Sequence, residues 1–328
     1  MKIVYMGTPE FAVPPLEQLL THHEVLAVLT QPDRPSGRGN KLKMSPVKTL
    51  ALSAGVAVLQ PESLLIKKTP KNDDDVEQNK KAKEIRDKLR KLDADIFVVA
   101  AYGLILPKAV LDMPPLGCVN IHASLLPKYR GAAPIHAAIL NGETTTGITI
   151  MYMDVGIDTG DMILKREIAI APDERTPSLH DRMATLGAEC IIDALHQLEA
   201  GTASRTPQDN SNPCYVPMIQ KSDAEINWSW PTARIVNLTR AFDPWPGPYT
   251  TYKGEVMKIW QVEKAECADE VPPGTIIAID PDKGFLVRTG DGGVWVLEMQ
   301  APGGKRMPTK DYLRGRTIDV GVVLGETK

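Results

Sequence analysis

Residues 117–131 read GCVNIHASLLPKYRG, an apolar run that ends on two polar side chains and passes into a proline-containing turn. Asn120 and His122 are two positions apart. Alternate residues of a strand share one face, so these side chains are predicted to project together where the strand leaves its sheet. A lone histidine at a strand end most often only pairs with nearby polar groups. The pair therefore indicates a functional site only if a third group comes from elsewhere in the chain.

Apolar runs of the same kind recur on both sides of this segment and alternate with helical stretches through about the first two hundred residues. Their nearly continuous apolar character is typical of strands that are covered on both faces. The runs predicted as strands are KIVYMG, EVLAVLTQ, VAVLQ, DIFVVAAYG, GCVNIHA and TGITIMYMD. This alternation predicts an α/β fold with a Rossmann-like, largely parallel sheet and helices on both of its faces. Such sheets bind ligands at the carboxyl ends of their strands.

The composition changes after Gly201, where a polar, proline-containing stretch precedes a tryptophan-rich region. A chain of 328 residues also exceeds the usual size of a single core. We therefore predict a catalytic domain over residues 1–200, a linker over 201–213 and a second domain over 214–328. Short strand patterns between glycine, proline and aspartate turns predict that the second domain is a smaller, OB-like β-barrel.

The overall composition excludes several classes of protein. Hydrophobic residues make up 43% of the chain, charged residues make up 24% and the net charge is −3, as in an ordinary soluble globular protein. The four cysteines show no metal-ligand spacing, so no metal is expected. The N-terminus lacks a signal or transit pattern and long apolar runs are absent, so a cytoplasmic location without a membrane partner is expected. The charged stretch over residues 67–91 is interpreted as a solvated helix or an inserted loop.

A carboxylate for the strand-end pair comes from GIDTGD, the turn after the next strand. Asp158 lies in this turn near the same predicted sheet edge, and the flanking glycines permit close approach of the backbone. Asn120 and His122 could donate hydrogen bonds to a developing oxyanion, while Asp158 could orient His122 and help to remove a proton. The nucleophile motif GxSxG is absent, so direct acyl transfer to an external nucleophile is predicted. Asp161 is interpreted as a structural turn residue.

These motifs resemble those of the folate-dependent formyltransferases. The resemblance rests on Asn120-x-His122, the following SLLPKYRGAAPI and Asp158 in MDVGIDTGD, and it continues through MGTPEFAVPPL, TQPDRPSGRGNKLKMSPVK, AAYGLILP and AFDPWPGPYT. It implies that the matching Asn, His and Asp surround the formyl group of 10-formyltetrahydrofolate. The loop after the second strand and the PWP-containing second domain favour the tRNA-directed branch of this family. The resemblance to that branch implies formyl transfer to the amino group of methionine on initiator methionyl-tRNA, for translation initiation.

Two segments are candidate folate contacts. AAYGLILP offers an apolar wall with close backbone approach for a flat pterin ring, and the SLLP turn resembles the family's folate-contacting turn. The candidate residues are Tyr102, Gly103, Leu104, Ile105, Leu106, Ser124, Leu125, Leu126 and Pro127. Each apolar residue among them is equally typical of a packed core. Thr8 is interpreted as a helix cap, because the dinucleotide-binding motif GxGxxG is missing from the N-terminus.

Two basic clusters are candidate contacts for tRNA on this mildly acidic chain. Five positive residues accompany one negative residue between positions 33 and 48, and the same holds between positions 305 and 316. The predicted contacts are Arg34, Arg38, Lys41, Lys43, Lys305, Arg306 and Arg314. Clusters of this size suit phosphate contacts, although a solvated surface without function has the same composition.

Three functional interpretations are compatible with the sequence. The first is the tRNA-directed formyltransferase. The second is a folate-dependent formyltransferase that acts on a nucleotide or an amino sugar, for which the basic loop and the second domain would have no purpose. The third is a catalytically silent RNA-binding module on a Rossmann-like scaffold, which the intact Asn120, His122 and Asp158 disfavour. A monomer is expected for the protein.

Overall fold

The computed structural model describes residues 1–36, 41–211, 213–268 and 270–326, without the side chains of residues 36 and 41. Two of the predicted tRNA contacts, Arg38 and the side chain of Lys41, therefore lie outside the described residues. The chain divides into two compact units. The first comprises Met1–Gly131, Thr146–Ile168 and His180–Tyr215. The second comprises Ala132–Thr145, Ala169–Leu179 and Val216–Lys328, so two stretches from before residue 200 group with it.

A seven-stranded sheet forms the centre of the first unit, in the order β10-β9-β7-β6-β1-β2-β5. The strands up to the end of this sheet are β1 (Lys2–Gly7), β2 (Glu24–Leu29), β3 (Arg34–Ser36), β4 (Lys41–Lys43), β5 (Ala57–Leu59), β6 (Ile96–Ala100), β7 (Cys118–His122), β8 (Arg130–Gly131), β9 (Thr145–Tyr152) and β10 (Met162–Ala169). The pairs β1–β2, β1–β6, β2–β5 and β6–β7 are parallel, whereas β7 and β9 are antiparallel. The six runs predicted as strands are all present, and β10 was not predicted.

Helices connect these strands, and α2 and α3 each begin at a side-chain cap. They are α1 (Val13–His22), α2 (Pro46–Ser53), α3 (Asp73–Lys91), α4 (Lys108–Leu111), α5 (Pro134–Leu140) and α6 (Thr176–Glu199), with a 3-10 turn at Glu10–Ala12. The Ser45 side chain accepts a hydrogen bond from the Lys48 amide and caps α2, which starts with a proline. No helix in the described ranges is long and apolar enough to cross a membrane.

The charged stretch over residues 67–91 forms a helix from Asp73 onwards. The Asn72 side chain accepts a hydrogen bond from the Asp75 amide and caps α3. The first turn of α3 is acidic and its last turn is basic, which complements the helix dipole. Ala82 and Leu89 are buried, so the helix also contributes to the core of the first unit. The solvated-helix interpretation is therefore confirmed from Asp73, and the loop interpretation is wrong there.

The second unit is built around a smaller antiparallel sheet with strand order β12-β13-β16-β15-β14. The remaining elements of the chain are β11 (Tyr215–Val216), a 3-10 turn (Lys221–Ala224), α7 (Thr232–Ala241), β12 (Tyr249–Tyr252), β13 (Glu255–Ala265), β14 (Ile276–Asp280), β15 (Gly284–Arg288), β16 (Gly293–Gln300), β17 (Met307–Pro308) and α8 (Thr309–Leu313). All of the β12–β13, β13–β16, β14–β15, β15–β16 and β16–β17 pairs are antiparallel. The predicted fold class is confirmed.

A buried carboxylate stabilises the second unit. Asp243 accepts hydrogen bonds from the guanidinium groups of Arg175 and Arg306, and the Arg306 contacts are bidentate, at 2.8 and 3.0 Å. The Asp243 side chain is only 8% exposed. Burial acts to raise the pKa of Asp243, but hydrogen bonds from Arg306 and Arg175 outweigh it, so the pKa lies below its usual value. This carboxylate is therefore charged in the folded protein at neutral pH.

Candidate active site

Asn120 and His122 lie at the carboxyl end of β7, on the same face of the strand. Asn120 is opposite Met151 of β9, and His122 is opposite Thr149. Asn120 is partly buried, and its side chain has no hydrogen-bond partner among the residues that the structure describes. An amide at this position is thus available to donate a hydrogen bond to a bound substrate.

The imidazole of His122 is buried and is held from one side by the turn that follows β7. Its Nε2 lies 3.0 Å from the carbonyl oxygen of Tyr129. A carbonyl oxygen can only accept, so Nε2 carries the proton that it donates to Tyr129. The other ring nitrogen, Nδ1, faces Oδ2 of Asp158 at 3.7 Å. This separation is too long for a direct hydrogen bond, but it places the carboxylate close enough to attract a positive charge that forms on the imidazole.

Asp158 is fixed in place by both its side chain and its backbone. Its Oδ2 accepts a hydrogen bond from the Gly131 amide at 2.7 Å. Its φ angle is 52°, in the left-handed region that non-glycine residues adopt at a cost. A Cβ atom at Gly160 would lie 1.9 Å from the Tyr152 carbonyl oxygen, so this turn requires glycine there. The structure thus brings Asp158 to the Asn120 and His122 pair from a separate loop.

Asp161 lies three residues further along the same loop and has different surroundings. Its side chain is about one-third exposed, and its nearest cation is Arg205 at 4.0 Å. Arg205 is itself largely exposed and stacks on the ring of Tyr152, 3.7 Å from the ring centroid. Asp161 is therefore a surface residue of the loop, consistent with its interpretation as a turn residue.

The AAYGLILP segment divides into residues that support the core and residues that remain accessible. Tyr102 and Leu106 are buried, whereas Gly103 is exposed and Ile105 is 72% exposed. Leu104 is partly buried. Burial raises the pKa of the Tyr102 phenol well above its usual value. Of the five residues in this segment that were predicted to contact folate, Gly103, Leu104 and Ile105 are therefore the accessible ones.

The carbonyl oxygen of Tyr102 accepts hydrogen bonds from two side chains. Thr8 Oγ1 and Gln31 Nε2 both donate to it, each at 3.1 Å. Thr8 therefore does not cap a helix as expected, because its hydroxyl is used to tie the end of β1 to the segment after β6. A Cβ atom at Gly103, whose φ is 79°, would lie 2.3 Å from Gln31 Nε2. The Gln31 side chain could move away from such an atom, so it is mainly the positive φ that favours glycine at position 103.

The SLLP turn is tightly packed. Ser124 and Leu126 are fully buried. The Ser124 hydroxyl donates to the Lys128 carbonyl at 2.6 Å, and the Leu126 amide donates to Thr149 Oγ1 at 3.1 Å. Leu125 and Pro127 are partly buried. The side chains of Ser124 and Leu126 thus shape the turn that brings the Tyr129 carbonyl to His122, and their burial leaves no exposed side-chain surface for a ligand.

The first basic cluster contains a hairpin of β3 and β4, in which Arg34 is opposite Lys43. Both residues are exposed. Asp33, at the base of the hairpin, accepts hydrogen bonds from Lys48 Nζ at 2.6 Å and from Gln60 Nε2 at 2.8 Å. The hydrogen bond from Lys48 lowers the pKa of Asp33. Lys48 therefore anchors the hairpin rather than presenting its charge to a partner.

The second basic cluster is only partly available to an anionic partner. Lys305 and Arg314 are exposed, and Arg314 also pairs with Asp311 at 3.0 Å. The Arg306 guanidinium binds Asp243 and Glu298 through Nε and both terminal nitrogens, and it stacks on the ring of Trp260. Arg306 was predicted to contact tRNA, but its donors are already used within the second unit. Clustering of charge in the sequence could not show that its donors are used in this way.

Sequence reasoning missed two residues next to the site, Arg130 and Gln208. The Arg130 side chain is almost completely buried, and its Nε and Nη2 donate to Gln208 Oε1 at 3.0 and 2.7 Å. Gln208 lies in the stretch predicted to be a linker, and its Nε2 contacts the loop that carries Asp158. The two residues are 78 positions apart, so no local pattern could have paired them.

Comparison with known proteins covers both units. Residues 1–195 match a family described as formyl transferase, and residues 218–317 match its C-terminal domain. The chain is 47% identical to the methionyl-tRNA formyltransferase of Ruminiclostridium cellulolyticum, over 99% of this chain and all of that protein. It is 46% identical to the methionyl-tRNA formyltransferase of Geobacter metallireducens, over 99% of both chains. The structure of HypX from Aquifex aeolicus in complex with tetrahydrofolic acid has the same fold, with a TM-score of 0.58 and 18% identity over 98% of this chain and 50% of that one.

Proposed function

The chain belongs to the formyl transferase family, and we propose that it transfers the formyl group of 10-formyltetrahydrofolate to the α-amino group of methionine on initiator methionyl-tRNA. The observation that carries this proposal is the full-length similarity to methionyl-tRNA formyltransferases, which extends through both units. The identity of 46 to 47% covers 99% of this chain and therefore includes the second unit.

The active-site geometry supports a direct transfer. The folate supplies an activated formyl group, and the amine nitrogen attacks its carbon while the bond from that carbon to the folate nitrogen breaks. Negative charge develops on the formyl oxygen as the amine adds. The Asn120 amide, which has no partner within the described chain, is suited to donate to that oxygen. One such donor typically stabilises the transition state by about 3 to 4 kcal/mol.

His122 and Asp158 are suited to remove the amine proton. The Tyr129 carbonyl holds Nε2 of His122, which leaves Nδ1 facing the Asp158 carboxylate. A proton taken from the amine at Nδ1 would create an imidazolium beside that carboxylate, and the proton can then pass to the leaving folate nitrogen. We therefore assign oxyanion stabilisation to Asn120 and proton transfer to the His122–Asp158 pair. The sequence interpretation had given His122 a share in the oxyanion site.

The folate and tRNA contacts remain proposals that rest on exposure and charge. The accessible backbone of Gly103 and the exposed side chain of Ile105 suit the flat face of a pterin. Exposed Arg34 and Lys43 on the hairpin, with Lys305 and Arg314 in the second unit, suit backbone phosphates. Arg38 and Lys41 are proposed contacts from their charge and position in the sequence alone.

A formyl-transfer assay with competing acceptors tests the proposal. The protein is incubated with 10-formyltetrahydrofolate labelled in the formyl group, and with either charged initiator tRNA or amino-sugar nucleotides. We expect labelled N-formylmethionyl-tRNA and no labelled sugar, with His122→Ala at least about a hundredfold slower. Product on the sugars alone would support the small-acceptor alternative. Tight tRNA binding without product on either acceptor would support the silent RNA-binding interpretation.

A further inference from the structure

Arg130 is a cation buried without a carboxylate among its hydrogen-bond partners in the described residues. Its side chain is 1% exposed. The guanidinium donates to Gln208 Oε1 twice, to Asn210 Oδ1 at 2.7 Å and to the Tyr215 hydroxyl at 3.3 Å. Its backbone amide donates to the Cys214 carbonyl at 2.8 Å. Burying a charge is costly unless every donor is satisfied, so this arrangement needs the Gln208 acceptor.

Gln208 uses both ends of its amide at once. Its Oε1 accepts from Arg130, and its Nε2 donates to the carbonyl oxygens of Asp158 and Gly160, each at 2.8 Å. Arginine can only donate and a carbonyl oxygen can only accept, so the orientation of the amide is determined by its partners. Gln208 is 6% exposed, so water does not replace these bonds readily. The side chain thus joins a buried cation to the backbone of the catalytic loop.

The backbone at Asp158 requires external support because its conformation is unfavourable. Asp158 has a left-handed φ of 52°, which a residue with a side chain adopts at a cost that its surroundings must offset. The donors of Gln208 bind the carbonyls of Asp158 and of Gly160, on either side of Thr159. We propose that Gln208, oriented by Arg130, is a positioning residue that holds the Asp158 carboxylate against His122. This inference rests on the proposed function, in which Asp158 takes part in proton transfer.

In a purely structural role, Gln208 would only accept the hydrogen bonds of the Arg130 guanidinium. One substitution separates this structural role from the positioning role. Gln208→Glu keeps an acceptor for Arg130 and adds a favourable charge, so it preserves the burial of the guanidinium. It also places a second acceptor against the two loop carbonyls, which then lose their donor. The structural role predicts full activity in this variant. The positioning role predicts a kcat lower by about ten- to a hundredfold, because small displacements of a reacting group have effects of that size.

Asn210→Ala is the matched control. It removes one hydrogen bond to Arg130 and leaves both contacts between Gln208 and the loop in place. It should therefore lower the melting temperature without changing kcat beyond about twofold. Gln208→Met is made together with Arg130→Met, which removes the buried cation and its acceptor at once, and this pair is measured in parallel in case Gln208→Glu does not fold.

The experiment measures kcat, both KM values and the melting temperature for each variant of the full chain, alone and combined with Asp158→Asn. If Gln208 acts through Asp158, either Gln208 variant lowers kcat at unchanged KM for folate, and adds less than about twofold in the Asp158→Asn background. Wild-type kcat in a folded Gln208 variant would overturn the inference, as would multiplicative losses in the double variant. Lack of formyl transfer by the wild-type protein would instead refute the proposed function.

Discussion

Replacement of Asp158 by asparagine removes the negative charge beside His122 and leaves the shape of the side chain unchanged. The asparagine oxygen can still accept the hydrogen bond that Gly131 donates to Oδ2 at 2.7 Å. The loop should therefore keep its conformation. What is lost is the interaction between the carboxylate and a proton held at Nδ1 of His122.

The size of the effect follows from the separation of the two groups. At 3.7 Å and an effective dielectric constant of about 20, Coulomb's law gives about 4 kcal/mol for a full imidazolium–carboxylate pair. The side chains of His122 and Asp158 are only 6% and 16% exposed, so screening by water is limited. The asparagine dipole and relaxation of the site recover part of this energy. We therefore expect a loss of about 3 kcal/mol from the transition state, which corresponds to about a hundredfold in kcat.

The assay is the steady-state rate of N-formylmethionyl-tRNA formation at saturating folate and tRNA, with thermal melting as a check on folding. Asp161→Asn is the matched control on the same loop, since Asp161 is more exposed and its nearest cation is an exposed arginine at 4.0 Å. We expect less than about a threefold change for this control, because exposed pairs contribute little. A kcat for Asp158→Asn within about fivefold of wild type would refute the reasoning. An equal loss in Asp161→Asn would move the proton-transfer role to that residue.

Four further outcomes are expected. Asn120→Ala should lower kcat by about two orders of magnitude in the same assay, with little change in folate affinity, because it removes the proposed oxyanion donor. Asp243→Asn should lower the free energy of unfolding of the second unit by about 3 kcal/mol in chemical denaturation, because it leaves two guanidinium groups without their buried carboxylate. Asp319 pairs with a lysine at a half-exposed site, so Asp319→Asn should have a much smaller effect. The pKa of Asp243 is lower in the folded than in the unfolded protein, where it is about 4, so the charged carboxylate stabilises the fold fully above about pH 4. This stabilisation is lost as the pH falls through the folded-state pKa. The stability of Asp243→Asn should therefore depend less steeply on pH in acid unfolding. Combined substitution of Arg34 and Lys43 by alanine should reduce the slope of log affinity for tRNA against log salt by about one to two, measured by filter binding, and leave folate binding unchanged.

Residues that share a strand or a turn could be assigned from the sequence. The two-residue spacing of Asn120 and His122 predicted a common face, because side chains alternate along any strand, and β7 has that geometry. The two glycines around Asp158 predicted a tight turn near the same sheet edge, and the packing at Gly160 requires one. Local periodicity was sufficient for these assignments, since each depends on neighbours only a few residues away.

The clustering of positive residues in the sequence did not indicate which of their side chains are engaged with carboxylates of the protein itself. Lys48 and Arg306 belong to clusters of similar composition to their neighbours, but one binds Asp33 and the other binds Asp243 and Glu298. A cation whose donors are taken up by buried or partly buried carboxylates has few donors left for a phosphate. That condition depends on the path of the whole chain, which a count of charges over a short window does not contain.

The sequence by itself determined the strand pattern, the pair at the end of β7 and the glycine-bounded turn, because each follows from backbone geometry over a few residues. Only the tertiary structure decided that Gln208, in a stretch with the composition of a linker, packs beneath the Asp158 loop, and that Arg130 becomes a buried cation there. A glutamine and an arginine are ordinary surface residues in any local window. Their roles arise only when chain folding excludes water from both and leaves each as the partner that the other requires.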